Sequence, residues 1–148
     1  MFKLNKKNIS ILFLTVIMCI TVFSLTAYAS ESSVVYPQAS EYIRSTSVTL
    51  EAEGSDGKLL SENKLGATRI VDKLGIKTLE IQTKVNGYWR KHETLVKDSY
   101  RYDAATFIYD FYYYGTPGTE YRTYVEFYVE YDGGSETKAV TSSPVTAE

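Results

Sequence analysis

The sequence predicts an all-β domain, a two-sheet β-sandwich of about seven short strands, with a small β-barrel as the alternative. Three observations carry that expectation. From Glu41 onward, β-branched and aromatic residues alternate with polar ones at the two-residue period of a half-buried strand. Clusters of glycine, asparagine and aspartate interrupt the alternation at short intervals, where turns are needed. No segment recurs at a fixed period, which favours Greek-key connections over a repeat architecture.

Taken in order, the first strand is expected around Val48, Leu50 and Ala52, ending at Gly54-Ser55-Asp56-Gly57. Lys58 to Leu74 is ambiguous, because Leu60, Ala67, Ile70, Val71 and Leu74 would also suit one face of a helix. Gly66 and Gly75 disfavour a long helix there, so part of the segment reads as strand. Leu79, Ile81, Thr83 and Val85 then alternate up to Asn86-Gly87, a strong two-residue hairpin signal, and the chain returns from Trp89 to Val96. A further aromatic strand is predicted over Thr106 to Tyr114, with Phe107, Tyr109, Phe111 and Tyr113 on one side. In the clearest strand, Tyr121 to Tyr131, Thr123, Val125, Phe127 and Val129 share one face and Arg122, Glu126 and Glu130 the other. Asp132-Gly133-Gly134 turns the chain into a last strand, Ser135 to Thr141. The domain is thus expected over residues 41–143, with 144–148 a C-terminal tail.

Ahead of the domain, residues 1–29 read as a secretory signal peptide. Lys3, Lys6 and Lys7 precede an apolar run from Ile9 to Leu25, and Ala27-Tyr28-Ala29 offers the small residues a signal peptidase accepts. Cleavage is expected after Ala29, followed by a polar linker over 30–40. An uncut membrane anchor is the alternative, because the uncharged stretch approaches the roughly 20 residues that span a bilayer. Cys19 lies inside the apolar run behind Met18, which is not the small residue that lipidation requires. Cleavage would leave 119 residues with no thiol, so stability must come from burial and hydrogen bonding. It would also leave 13 basic residues against 18 acidic ones, a formal net charge of −5. Such a surface disfavours nucleic acid and anionic lipid as partners, since both are held through lysine and arginine.

The residues offer little for catalysis. His92 is the single histidine, and with its neighbour Glu93 on the opposite strand face it reads as a solvent-facing strand residue rather than a catalytic base. Glu126 and Glu130 share a strand face but stand about 13 Å apart at strand rise, too far for a glycosidase pair. Glu126 with Glu53 or Asp110 is the remaining carboxylate route, and it defines the alternative reading as a secreted hydrolase. Asp56, Asp98, Asp103 and Asp132 form no dense calcium loop, and no metal or cofactor is expected. Tyrosine is the compositional oddity, with 13 of the 14 lying beyond the expected cleavage point. Tyr124 and Tyr128 fall on the outward face with Arg122, and Tyr112 and Tyr114 fall on the face opposite Phe107 and Phe111. If those two rows adjoin, they form an aromatic surface for sugar rings or a protein. Tyr112, Tyr124, Tyr128 and Arg122 are therefore the candidate ligand contacts, with cell-wall carbohydrate or an extracellular protein as partner. Cross-strand aromatic pairing that merely stabilises the sheet is the competing explanation.

At Pro117-Gly118-Thr119-Glu120-Tyr121 the chain resembles the turn into the sixth strand of fibronectin type III domains. The resemblance implies an immunoglobulin-like or fibronectin type III-like sandwich in which Tyr121 bonds back to the turn's backbone and pins the corner. The chain departs from that pattern at Gly115, where the family has leucine, and Trp89 comes later than the family's second-strand tryptophan. Tyr121 and Trp89 are accordingly expected to be structural. Over 41–141 the chain also resembles a family of small secreted proteins of unknown function from Gram-positive bacteria. That likeness rests on Gly57-Lys58-Leu59, Asp72-Lys73-Leu74-Gly75, Ile81-Gln82 leading to Trp89, and the Gly118 to Arg122 element. It implies export and no particular activity. A non-catalytic extracellular binding or structural module is the leading functional expectation, with a bacteriocin-like or toxin protein as a further alternative.

Overall fold

The computed structural model describes residues 40–148. The expected leader, its cleavage point after Ala29, Cys19 and the linker through residue 39 lie outside the described residues. Within them, the alternating segments pair as β1 (Ile43–Ala52), β2 (Lys58–Val85), β3 (Tyr88–Tyr114), β4 (Glu120–Tyr131), β5 (Gly134–Thr141) and β6 (Val145–Thr146). All pairings are antiparallel, and the sheet curls into a half-barrel.

Two pairs of expected strands are fused and the short β6 is added, which changes the count from about seven to six. Lys58 to Leu74 is strand throughout and continues into the segment ending at Val85 as β2; Trp89 to Val96 continues into Thr106 to Tyr114 as β3. The helical face allowed by the sequence does not form. Leu59, Ser61, Asn63 and Leu65 alternate inward instead, while Ile70 is 67% exposed.

Each half of β2 has its own neighbours. β3 runs beside it from Lys58 to Val85, but β1 pairs with Leu59 to Ala67 and β4 with Lys73 to Thr83. The ladder to β3 breaks between Gly66 and Val71, and the exposed Thr68, Arg69 and Ile70 lie at this crease. The crease divides the sheet into a first arm (β1 with the early part of β2 and the late part of β3) and a second arm (the late part of β2, the early part of β3, β4 and β5).

Folding at the crease brings the inner faces together over one core. Ile43 and Val48 of β1, Leu65, Leu74, Ile76 and Leu79 of β2, Phe107 of β3, and Val125, Phe127 and Val129 of β4 share it. A second cluster joins Leu50, Leu59, Ile81, Tyr121 and Ala147. Each such aliphatic or aromatic side chain, taken fully out of water, stabilises the fold by about 1.5–3 kcal/mol. Ser61, Asn63 and Thr123 are fully buried as well. Ser61 Oγ lies 3.1 Å from Thr123 Oγ1, and Asn63 Nδ2 donates to Ser61 Oγ and to the Tyr109 carbonyl, so the two arms share a hydrogen-bonded polar seam.

Both ends of the half-barrel are tied down. At one, Glu136 of β5 accepts hydrogen bonds from Ser40 Oγ and from the backbone N–H groups of Tyr42 and Ile43, seating the start of β1. At the other, residues 144–148 are not a loose tail. β6 pairs with Glu120 and Tyr121, and Ala147 is buried. The Gly57 N–H donates to the Glu148 carbonyl at 2.7 Å and the Gly118 N–H to the Ala147 carbonyl at 2.8 Å. These turns present backbone donors that would otherwise lack partners, which is why so short a segment docks.

Candidate functional site

The strict alternation of β4 decides what faces outward. With Tyr121, Thr123, Val125, Phe127 and Val129 buried, Arg122, Tyr124, Glu126, Tyr128 and Glu130 form a half-exposed row on the outer face of the second arm. Register extends that row sideways. Arg122 lies opposite Gln82, Tyr124 opposite Glu80 and Tyr128 opposite Gly75 on β2, and the same β2 positions face Lys91, Thr94 and Tyr100 on β3.

Two clusters result. In the first, the Asn86-Gly87 turn, with φ of 52° and 82°, lays Trp89 beside Lys84. The Arg122 guanidinium sits 4.6 Å from the Trp89 ring centre, and Arg122 Nε donates to Gln82 Oε1 at 2.8 Å. Lys84 approaches the same ring at 5.6 Å and pairs with Glu120 at 3.3 Å. In the second cluster, the Tyr100 and Tyr128 rings meet edge-on at 5.6 Å across Gly75, and Lys73 Nζ stands 4.2 Å from the Tyr100 ring centre and 5.2 Å from that of Tyr128. A Cβ at Gly75 would lie 2.2 Å from the Ser99 carbonyl oxygen, so only glycine permits the strands to approach here, with the two rings flanking it.

The Tyr124 and Tyr100 phenols remain donors at neutral pH. Burial pushes Tyr124 above the ordinary tyrosine range, reinforced by the charge of Glu126 and a hydrogen bond to it. Tyr100 is pushed up further by burial, then by its 2.8 Å hydrogen bond to Asp98 and that residue's charge.

Tyr112 does not join them. It is 55% exposed, but it lies on the first arm opposite Leu60, with Lys58 Nζ 4.0 Å from its ring centre. The expected adjoining of the Tyr112–Tyr114 row with the Tyr124–Tyr128 row fails for a topological reason. β2 separates β3 from β4, and the late part of β3 and β4 lie beside opposite halves of β2. Trp89, expected to be structural, stands on the outer face beside Arg122. Tyr121 is buried, its hydroxyl accepts a hydrogen bond from the Thr116 N–H at 3.0 Å, and its ring lies 5.5 Å from that of Tyr113.

The carboxylate pairs that the sequence suggests, Glu126 with Glu53 or Asp110, do not lie opposite one another. Glu126 lies opposite Thr78 and Ala139, Asp110 opposite Glu62 on the first arm, and Glu53 is held by Lys58 at 3.1 Å. His92 is exposed, with its ring edge-on to Tyr113 and Tyr121 at 6.3 and 6.1 Å. Among the described residues, no group of three or more histidine, cysteine, aspartate or glutamate side chains is placed to hold a metal ion. No helix among them is long and apolar enough to cross a membrane. Gln82, Lys73 and Tyr100 were missed as members of this surface. Gln82 was legible in principle, because it alternates with Glu80 and Lys84 on the hairpin that carries Trp89.

Compared with known proteins, the chain matches no protein-family model, no curated protein and no solved structure.

Proposed function

We propose that this is an exported, non-catalytic module that binds an extended extracellular ligand, a glycan chain, along the outer face of its second arm. The observation that carries the reading is the convergence of Trp89, Arg122, Tyr124 and Tyr128 on one sheet face by the register of β2, β3 and β4. Amphipathic rings with hydrogen-bonding tips, interleaved with amide, guanidinium and carboxylate groups, suit the apolar faces and hydroxyls of sugars. Glu126 does not lie opposite Glu53 or Asp110, the carboxylate pairs that the sequence suggests, and this supports binding over hydrolysis by those residues, which would need to flank one bond. On this reading the two arms act as the layers of an immunoglobulin-like sandwich. The shared interior and the Thr116–Tyr121 bond support that description.

The test is a binding screen with the purified exported protein against peptidoglycan and common polysaccharides, read by depletion from solution. Tyr124→Ser combined with Tyr128→Ser is expected to weaken binding at least tenfold, while Tyr112→Ser leaves it unchanged. Undiminished binding by the double variant would show that the contact face lies elsewhere.

A further inference from the structure

The charges around Trp89 do not cancel. Lys84 is matched by Glu120 at 3.3 Å, and Lys91 faces Glu80 at 3.9 Å. Arg122 has no carboxylate within ion-pair distance among the described residues. It is also held in place. Gln82 Oε1 takes its Nε hydrogen, and the guanidinium carbon lies over the Trp89 ring at 4.6 Å from its centre. A guanidinium carries five N–H donors in a rigid fork, so fixing Nε leaves the end bearing Nη1 and Nη2 as a two-pronged donor. That end matches the two oxygens of a carboxylate, and its half-buried setting strengthens the match relative to open water. An ordinary solvated arginine is neither stacked nor oriented in this way.

We infer that Arg122, aimed by Gln82 and backed by Trp89, is a carboxylate-recognition site, and that the glycan this face takes is an acidic one. The inference rests on the proposed function and names its ligand class. The carboxylate would bridge Nη1 and Nη2 while the sugar ring lies along the strip toward Tyr124. Lys84 and Lys91 are already matched by Glu120 and Glu80, so the attraction that salt screens comes from Arg122.

Trp89 is the chain's single tryptophan, so its fluorescence reports on this site alone. The purified protein is titrated at low salt with polygalacturonate and with the same polymer methyl-esterified, which keeps the sugar backbone and removes the charge. The acidic polymer is expected to bind at least tenfold tighter and to lose that advantage as salt rises. Arg122→Gln should bring it down to the level of the ester. Gln82→Glu, which supplies Arg122 with an internal carboxylate, should do the same without altering the sheet, as checked by an unchanged melting temperature. Arg122→Lys should retain only part of the preference, because an ammonium keeps the charge and loses the fork. Equal binding of both polymers to the unaltered protein, or a preference that survives both Arg122→Gln and Gln82→Glu, would overturn carboxylate recognition and leave the glycan-binding face standing. If neither polymer perturbed Trp89, both readings would be overturned.

Discussion

Tyr121 shows how much one side chain can organise in a fold without disulfides. Its ring fills the space beside Gly115, where an added Cβ would lie 2.5 Å from Tyr121 Cε2. Its hydroxyl takes the Thr116 N–H at 3.0 Å at the corner that leads into β4. Tyr121→Phe keeps the ring and removes the acceptor, so it is expected to destabilise the protein by about 1 kcal/mol, with more if the amide finds no water. Urea unfolding measures this as a lowered midpoint at constant slope. An unchanged midpoint would mean that the hydrogen bond contributes nothing net. The pair Tyr121 and Gly115 also explains a departure noted from sequence, because any larger residue at 115 would occupy the ring's place.

At the scale of elements, the long bent β2 governs the architecture, and Gly75 is its most constrained point. The close approach of Ser99 leaves no room for a side chain, and the Tyr100 and Tyr128 rings meet over the outer face there. Gly75→Ala forces the backbone of β3 away and separates the rings. The expected loss is about 2–4 kcal/mol, the size associated with overpacking and backbone displacement combined. Thermal unfolding followed by circular dichroism measures it, and a change below about 0.5 kcal/mol would show that β3 yields easily. Asp98 and Asp103, at φ of 53° and 50°, bend β3 in the left-handed region that aspartate tolerates better than most residues.

For the whole molecule, stability depends on closing both ends of the half-barrel, and the two closures respond to different perturbations. Deleting Val145 to Glu148 removes β6 and the acceptors for the Gly57 and Gly118 amides. It is expected to cost about 2 kcal/mol or more and to raise amide exchange first in the β1–β2 and β3–β4 turns. Uniform exchange across the chain would instead indicate a purely global loss. The other closure is pH-dependent. Burial works to raise the Glu136 carboxyl, but hydrogen bonds from Ser40 and from the Tyr42 and Ile43 amides, with Lys138 nearby, outweigh it and hold the group below its ordinary value of 4.5. A lowered folded value means that this stabilisation is present above the unfolded carboxylate's pKa and is lost as pH falls through the folded one. Unfolding free energy should therefore drop with acidification below about pH 4.5, with β1 loosening. Glu136→Gln should flatten that part of the profile and cost about 1–2 kcal/mol at neutral pH, since a charged acceptor becomes a neutral one. An identical acid slope in the variant would assign it to other carboxylates.

The all-β character, the Asn86-Gly87 hairpin, the turn at Asp132-Gly133 and the two faces of β4 were legible in the sequence, because alternation and turn chemistry act between residues a few positions apart. Part of the candidate surface was legible for the same reason: Arg122, Tyr124 and Tyr128 follow from β4 alone. The fusion of four expected strands into β2 and β3, the crease after Gly66, the docking of residues 144–148 and the exile of Tyr112 to the first arm were decided only by tertiary structure. So was the meeting of Arg122 with Gln82 and Trp89. Those features depend on which strands become neighbours, and neighbour choice is set by shared burial between segments far apart in the chain, which no local pattern encodes.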